Sequence, residues 1–479
     1  MARGQHMQEV KNNSPLVPWN IPKRVTWLVL GACWFSILAE GYDIGVLGAV
    51  LPTLGEYEPW NLSPMELGGL GAYALMGMLI GALFIGQLSD LMGRRRVLLI
   101  AFVIYNGSAL GAALAPSAEV FGLFRFIGGL GMGGLIPIAA AMTIEFSPPW
   151  RRSLNYTLMF SAYSLGIVAA ALAALAILTR SDDPDAWRWV VGIGAVPIAF
   201  LPVIAKMLPE SLEYQVNKGQ IEKARVQARK LGIPSFNPDT VRVADSEKVS
   251  DVPWRQVLAA IFSRKFLRST LLFWVALFCG LLLVYGLNTW LPSIMREAGY
   301  DLGSSLTFLL VFSLTAAVGG LAVGWASDRY GPRPVLVVFY LLGGLGTVLL
   351  MMDYPFGVNM ILVGFAGLGA IGTSAILTGY ITDYYPPNAR ATAAGWALSF
   401  ARIGAIMGPI IGGWIAASTL GFAWNFYVFA AAGLIAAICL ALIPKEKPSA
   451  TAIELEVARR GQPGAQPVQG REKAPAIQG

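Results

Sequence analysis

The sequence predicts an all-α membrane protein of twelve transmembrane helices, arranged as two six-helix bundles related by pseudo-symmetry. Three observations predict it. Of 479 residues, 56% are hydrophobic and only 13% are charged, against about 25% charged in soluble domains; mean hydropathy is +0.60. The apolar stretches reach about 20 residues or more, the length a helix needs to cross the hydrocarbon core, and lack the short alternating pattern of a membrane barrel. Finally, the two halves of the chain repeat one another at one spacing.

The first span, 24–51, carries Glu40 and Asp43 and ends on Leu51-Pro52. Span two, 64–89, runs into a glycine- and arginine-rich loop, and span three covers 97–115. Span four, 119–145, holds Arg125, then Gly128, Gly129, Gly131, Gly133 and Gly134, and ends on Glu145. Span five, 153–178, comes after Pro148-Pro149, and span six covers 187–208. Spans seven to twelve are 266–292, 303–327, 334–353, 357–382 (with Gly364, Gly367, Gly369 and Gly372), 391–417 (with Arg402) and 422–443. The glycines are small faces for close helix contact. The resulting units are an N-terminal tail, 1–23; a first bundle, 24–208; a central segment, 209–265; a second bundle, 266–443; and a tail, 444–479. Gln220 to Leu231 alternates charged and apolar residues and reads as a surface helix, with Pro234, Pro238 and Pro253 breaking the stretch beyond it. The tail after Lys447 is rich in Ala, Gln, Gly and Pro and reads as disordered.

The net charge of +7 reflects topology rather than nucleic-acid binding. Of 35 Lys and Arg, only Arg180, Arg188 and Arg296 fall in segments opposite the N-terminus or at their rims, Arg125 and Arg402 fall well inside spans, and the other 30 lie on the N-terminal side, rims included. The positive-inside rule therefore places both termini in the cytoplasm of a multi-pass cell-membrane protein. Cys33, Cys279 and Cys439 all lie within apolar spans with no CxxC pair or histidine cluster. They read as packing residues, and neither a disulfide framework nor a metal site is expected. The first 22 residues lack the short apolar core of a signal peptide.

The repeat is specific. Gly86-Gln-Leu-Ser-Asp90-Leu-Met-Gly93-Arg94 answers Gly324-Trp-Ala-Ser-Asp328-Arg-Tyr-Gly331-Pro-Arg333. Pro148-Pro149 with Arg152 answers Pro386-Pro387 with Arg390. Both are offset by 238 positions, and Leu51-Pro52 answers Leu291-Pro292 at nearly the same offset.

The Gly-x-x-x-Asp-x-x-Gly-Arg-Arg loop after span two, and Arg125-Phe-Ile-Gly128-Gly129-Leu-Gly131 in span four, resemble the signatures of the major facilitator superfamily. Within it, three stretches resemble the aromatic acid:proton symporters: Gly41-Tyr42-Asp43 with Gly48-Ala-Val-Leu-Pro52, Tyr285-Gly-Leu-Asn288-Thr-Trp290-Leu-Pro292, and Gly395-Trp396 through Arg402 to Gly408-Pro409. The resemblance implies import of benzoate, hydroxybenzoate, gentisate or a similar acid with protons. It also links Glu145 and the Asp90–Arg94 loop to gating, and by the repeat Gly86, Gly93, Asp328, Gly331 and Arg333. Glu40 departs from the family, whose motif often begins with Asp; the carboxylate reaches one methylene further.

Charges inside spans cost at least a few kcal/mol and usually pair or face a solute path. Glu40 and Asp43 share a helix face, and the only histidine, His6, lies in the N-terminal tail, so proton handling falls to carboxylates. Asp43 and Arg125 both lie roughly 8–10 Å to the outer side of their span centres at about 1.5 Å per residue, which predicts a pair. A helix-packing ion pair is the alternative to a proton-coupling role. Arg402 falls near mid-span and has no counterpart in the first half, where the repeat places Ser164. A guanidinium there suits a substrate carboxylate, with Tyr285, Asn288, Trp290 and Trp396 as candidate ring and hydroxyl contacts. Interfacial anchoring or core packing is the other reading of those aromatics. Glu145, near Arg94, Arg95 and Arg96, reads as a latch between helices or as a solvated rim charge.

No Walker A loop and no Gly-x-Ser-x-Gly elbow occurs, which disfavours an ATP-driven pump and a hydrolase. The expectation is a non-enzymatic, monomeric transporter without cofactor, driven by the proton gradient, whose partners are a small aromatic carboxylate, protons and the lipid bilayer. A symporter of a non-aromatic organic acid, a proton-driven exporter and a transporter-like receptor are the alternatives.

Overall fold

The computed structural model describes residues 21–233, 236–238, 254–264, 266–352 and 354–444. The expected disordered tail, His6, Pro234 and Pro253 lie outside the described residues.

Twelve stretches among the described residues are long and apolar enough to cross a membrane. The first bundle comprises α1 (Lys23–Gly55), α2 (Pro64–Met92), α3 (Arg94–Ala113), α4 (Ala118–Met132) with α5 (Leu135–Glu145), α6 (Arg152–Leu178), and α7 (Ala186–Ile193) with α8 (Leu201–Met207). Two short helices come next, α9 (Leu212–Asn217) and α10 (Ile221–Lys230), then α11 (Trp254–Ile261). The second bundle comprises α12 (Leu267–Glu297), α13 (Leu302–Tyr330), α14 (Pro332–Leu349), α15 (Phe356–Leu368) with α16 (Ile371–Tyr384), α17 (Pro387–Ala417) and α18 (Ala423–Ala441).

The helices match the expected spans to within a few residues, and the expected surface helix is α10. Two differences have physical causes. Spans four and ten are each broken near the middle, at Gly133–Gly134 and at Gly369–Ala370. Span six is interrupted by a 3-10 turn, Val196–Phe200, with Pro197 in its first turn and Pro202 opening the next helix; proline removes a donor and crowds the preceding turn. Helix α11 has no counterpart among the elements expected from the sequence.

Small residues set the packing. A Cβ on Gly41 would stand 2.0 Å from the Tyr163 carbonyl oxygen, so α1 and α6 touch backbone to backbone. Gly129 and Gly133 do the same against Ala74 and Met78 of α2, and Gly367 and Gly372 against Phe312 and Gly320 of α13. The expected glycine faces are thus close-contact faces. All three cysteines are buried and free.

The side on which Lys23 opens α1 is termed inner, and the opposite side outer. The two bundles meet tightly on the outer side. A Cβ on Gly48 would meet the Asn288 carbonyl at 1.9 Å, and Gly68 and Gly413 pack against each other, with Pro409 and Pro64 alongside. Arg296 bridges to Glu56 at 2.5 Å across the same seam. On the inner side, Gly86, Gly379 and Gly395 face open space, with nothing within 4 Å of a Cβ position.

Candidate functional site

Four polar side chains converge where the bundles face each other: Glu40 on α1, Tyr163 on α6, Tyr285 on α12 and Arg402 on α17. Each stands within about three residues of the middle of its span. The Tyr163 and Tyr285 hydroxyls are 3.0 Å apart, one from each bundle. Arg402 donates to the Met78 carbonyl at 2.5 Å and to the Gly133 carbonyl at 3.3 Å. It lies close enough to Glu40, Tyr163 and Tyr285 to interact electrostatically with all three. Gly133 follows the C-terminus of α4, the negative end of a helix dipole, where a cation is favoured. Its missing side chain is what lets this carbonyl stand beside Met78, since a Cβ would be 2.4 Å from the Met78 oxygen.

Glu40 is 0% exposed, and neither of its carboxylate oxygens has a hydrogen-bond partner among the described residues. An uncompensated buried charge is costly, so its charge must be met by a proton or by the nearby Arg402 guanidinium. Asp43, one turn further toward the outer side, is already paired. Arg125 Nη1 donates at 2.7 Å to its carboxylate and at 2.8 Å to its backbone carbonyl. Both side chains are buried. The pair expected from span depth therefore exists, and it leaves Glu40 outside it.

The other candidates separate. Asn288 is buried and donates to the Ile44 carbonyl at 3.3 Å, while its own Oδ1 has no partner among the described residues. Trp290 is buried with its indole N–H on the Pro409 carbonyl at 2.8 Å, and its ring fills the space beside Gly412. In this conformation it holds α12 to α17, the packing alternative for this residue. Trp396 is 40% exposed and lies six residues before Arg402, about 9 Å along the helix axis toward the inner side.

The inner loops form a second constellation. Glu145 accepts from the Ser211 hydroxyl at 2.7 Å and from the backbone N–H groups of Leu212 and Glu213 at 2.6 and 3.1 Å. Arg94 bridges Glu145 and Glu213 at 2.9 and 3.1 Å. Gly93, at φ +101°, fits against Glu210, which accepts from the Arg95 N–H at 3.0 Å. Glu145 is thus a buried latch, not a solvated rim charge. It ties the end of span four to α9 as well as to the Arg94 loop. Asp90 and Asp328 are exposed with no ion-pair partner among the described residues, Gly86 and Gly331 have open space around a Cβ position, and Arg333 donates to the Ala441 carbonyl.

Sequence reasoning missed Tyr163, the two carbonyls that hold Arg402, and α9. Tyr163 had a signal: it adjoins Ser164, the position that the repeat sets opposite Arg402. Backbone acceptors and a clamp built from a short loop helix leave no residue-type signature.

The family model for the Major Facilitator Superfamily matches residues 33–351 and again 304–471. This chain belongs to the major facilitator superfamily. It is 31% identical to the benzoate transport protein of Acinetobacter baylyi over 92% of this chain and 93% of that protein. It is 33% identical to the gentisate transporter of Corynebacterium glutamicum over 91% of each. The aromatic acid transporter resemblance read from the three motifs is borne out by these relatives. The fold matches the partially occluded, inward-open xylose transporter XylE of E. coli with a TM-score of 0.71 at 18% identity, over 88% of this chain and 99% of that one. This superfamily member is a multi-pass membrane protein and a transporter, not an enzyme.

Proposed function

We propose that this protein imports a small aromatic carboxylate, of the benzoate, hydroxybenzoate or gentisate type, by proton symport with alternating access. The observation that carries this reading is one guanidinium, Arg402, beside one buried carboxylate, Glu40, that has no hydrogen-bond partner among the described residues, near the middle of the spans between the two bundles. The named substrates of the two relatives supply the aromatic acid class.

Charge arithmetic gives the coupling. With the Asp43–Arg125 pair internally neutral, Arg402 and ionised Glu40 also cancel. A substrate anion then adds an uncompensated charge to a buried site, which is costly. A proton on Glu40 removes that cost and frees the guanidinium for the substrate carboxylate, which it can grip through two parallel hydrogen bonds. Acid and proton therefore load together. The Asp43–Arg125 pair serves as a second charge device between α1 and α4, able to change on protonation of Asp43. Tyr285 and Asn288 offer hydroxyl and amide contacts on the same face of α12, Trp396 is a candidate ring contact when the inner side closes, and Trp290 anchors α12 to α17. The motif loops around Gly86, Asp90, Gly93, Arg94 and Glu145, with Asp328, Gly331 and Arg333 in the second half, govern closure of the inner side. We place the protein in the cell membrane as a monomer with both termini cytoplasmic, driven by the proton gradient alone.

The test is uptake into proteoliposomes of benzoate, 4-hydroxybenzoate and gentisate with an inward proton gradient. Accumulation that a protonophore collapses supports the reading. Ligand binding without accumulation indicates a receptor, and accumulation of aliphatic acids alone rejects the aromatic class.

A further inference from the structure

Helix α6 carries a second feature, which starts at Tyr163 of the central site and runs on through two residues that the site does not use. Tyr156, Phe160 and Tyr163 lie at i, i+4 and i+7, on one helix face. Their rings are nearly parallel: Tyr156 and Phe160 are inclined by 10° with centroids 6.2 Å apart, and Phe160 and Tyr163 by 7° at 6.0 Å. Aromatic pairs elsewhere among the described residues meet at larger angles, such as 30° for Trp274–Phe400 and 84° for Phe262–Trp274. The Tyr163 hydroxyl reaches across to Tyr285 of the other bundle. The same face continues toward the inner side, where Tyr156 is 39% exposed. The helix that bears the ladder is fixed, because Gly41 and Gly45 hold α1 against the Tyr163 and Ile167 backbone.

A common ring plane over three successive steps has a use for one kind of ligand. Offset stacking between rings adds to the free energy of burying their area, and it depends on ring orientation. A flat ring leaving the central site meets the same orientation at Tyr163, Phe160 and Tyr156 and need not turn. Arg402 stands beside Tyr163 at the start of this series, so a molecule with a planar ring and a carboxylate matches both the stacking faces and the charge.

We propose that Tyr163, Phe160 and Tyr156 form a stacking track through which the ring of an aromatic carboxylate passes between the central site and the inner side. This rests on the aromatic acid reading above. The track is a set of ring subsites, so it sets the rate and selectivity of passage rather than the charge coupling.

The experiment compares Phe160→Leu, which keeps apolar bulk and removes the ring face, with Phe160→Tyr, which restores it. Counterflow is measured in proteoliposomes with benzoate, 4-hydroxybenzoate or gentisate, whichever the wild type carries best, and with cyclohexanecarboxylate, which has the carboxylate but no flat ring. The expected result is a five- to twentyfold slower aromatic counterflow in Phe160→Leu, an unchanged rate for the saturated acid, and recovery in Phe160→Tyr. Equal slowing of both acids, or no slowing of either, overturns the track while leaving aromatic transport by the wild type standing. A wild type that carries none of the three aromatic acids overturns the underlying reading and the track with it.

Discussion

At the scale of the residue, the proposed transport rests mainly on Arg402 and Glu40. Arg402→Ala removes two charge-assisted donors, each worth about 1.5–3 kcal/mol, so affinity for the transported acid should fall roughly 100-fold or more. Calorimetry on purified protein checks this, and unchanged affinity would reject Arg402 as the carboxylate's partner. Glu40 predicts a pH dependence. In the proposed mechanism its anion competes with the substrate for Arg402 and repels it, so wild-type affinity should weaken as pH rises, by up to about tenfold per pH unit where one proton is linked to binding. In Glu40→Gln the dependence should flatten, gradient-driven accumulation should be lost, and exchange of internal for external acid should persist. A Glu40→Gln protein that still accumulates substrate against a gradient would move the proton to Asp43.

At the scale of the element, glycine position rather than glycine count sets helix packing. Gly41→Ala forces a Cβ to within 2.0 Å of the Tyr163 carbonyl oxygen, whereas Gly69 of α2 has nothing within 4 Å. Overpacking typically costs about 1–3 kcal/mol, while Gly→Ala in an open helix position gains up to about 1 kcal/mol. Thermal unfolding in detergent should show Gly41→Ala destabilised and Gly69→Ala unchanged or raised. The α9 clamp gives another outcome. Glu145→Gln replaces a carboxylate that holds Ser211, Leu212, Glu213 and Arg94 together. Amide hydrogen exchange over 209–218 should accelerate at least tenfold, with little change in α12 to α18. Equal protection in both proteins would show that the segment is held by its other contacts, such as Tyr214 on the Leu91 carbonyl.

At the scale of the whole molecule, the outer seal, the Tyr163–Tyr285 bond and the Arg402 bridge all join the two bundles, so the alternating access proposed above requires these contacts to change. Gly48→Leu places bulk against the Asn288 carbonyl at the seal. It should shift the protein toward an outward-facing arrangement, raising hydrogen exchange at 48–55 and 287–297. Substrate binding should be retained while net uptake falls by tenfold or more. Uptake at the wild-type rate would show that the seal does not take part in transport. Loss of the Glu56–Arg296 pair alone should matter little, because exposed ion pairs contribute about 0–1 kcal/mol.

The sequence by itself determined the twelve spans, the two related halves and the identity of the intramembrane charges. Each of these comes from local hydropathy, from one repeat offset, or from the cost of a charge in hydrocarbon. Span depth was enough to pair Asp43 with Arg125, because helical rise converts residue number into height. Height says nothing about azimuth or about backbone. The tertiary structure alone decided that Arg402 rests on the Met78 carbonyl of α2 and on the Gly133 carbonyl at the break in span four, that Glu40 has no hydrogen-bond partner among the described residues, that Trp290 is used for packing, and that Tyr163 completes the cluster. These outcomes depend on how far glycine faces let the helices approach and rotate, and that is fixed only when all the helices pack together.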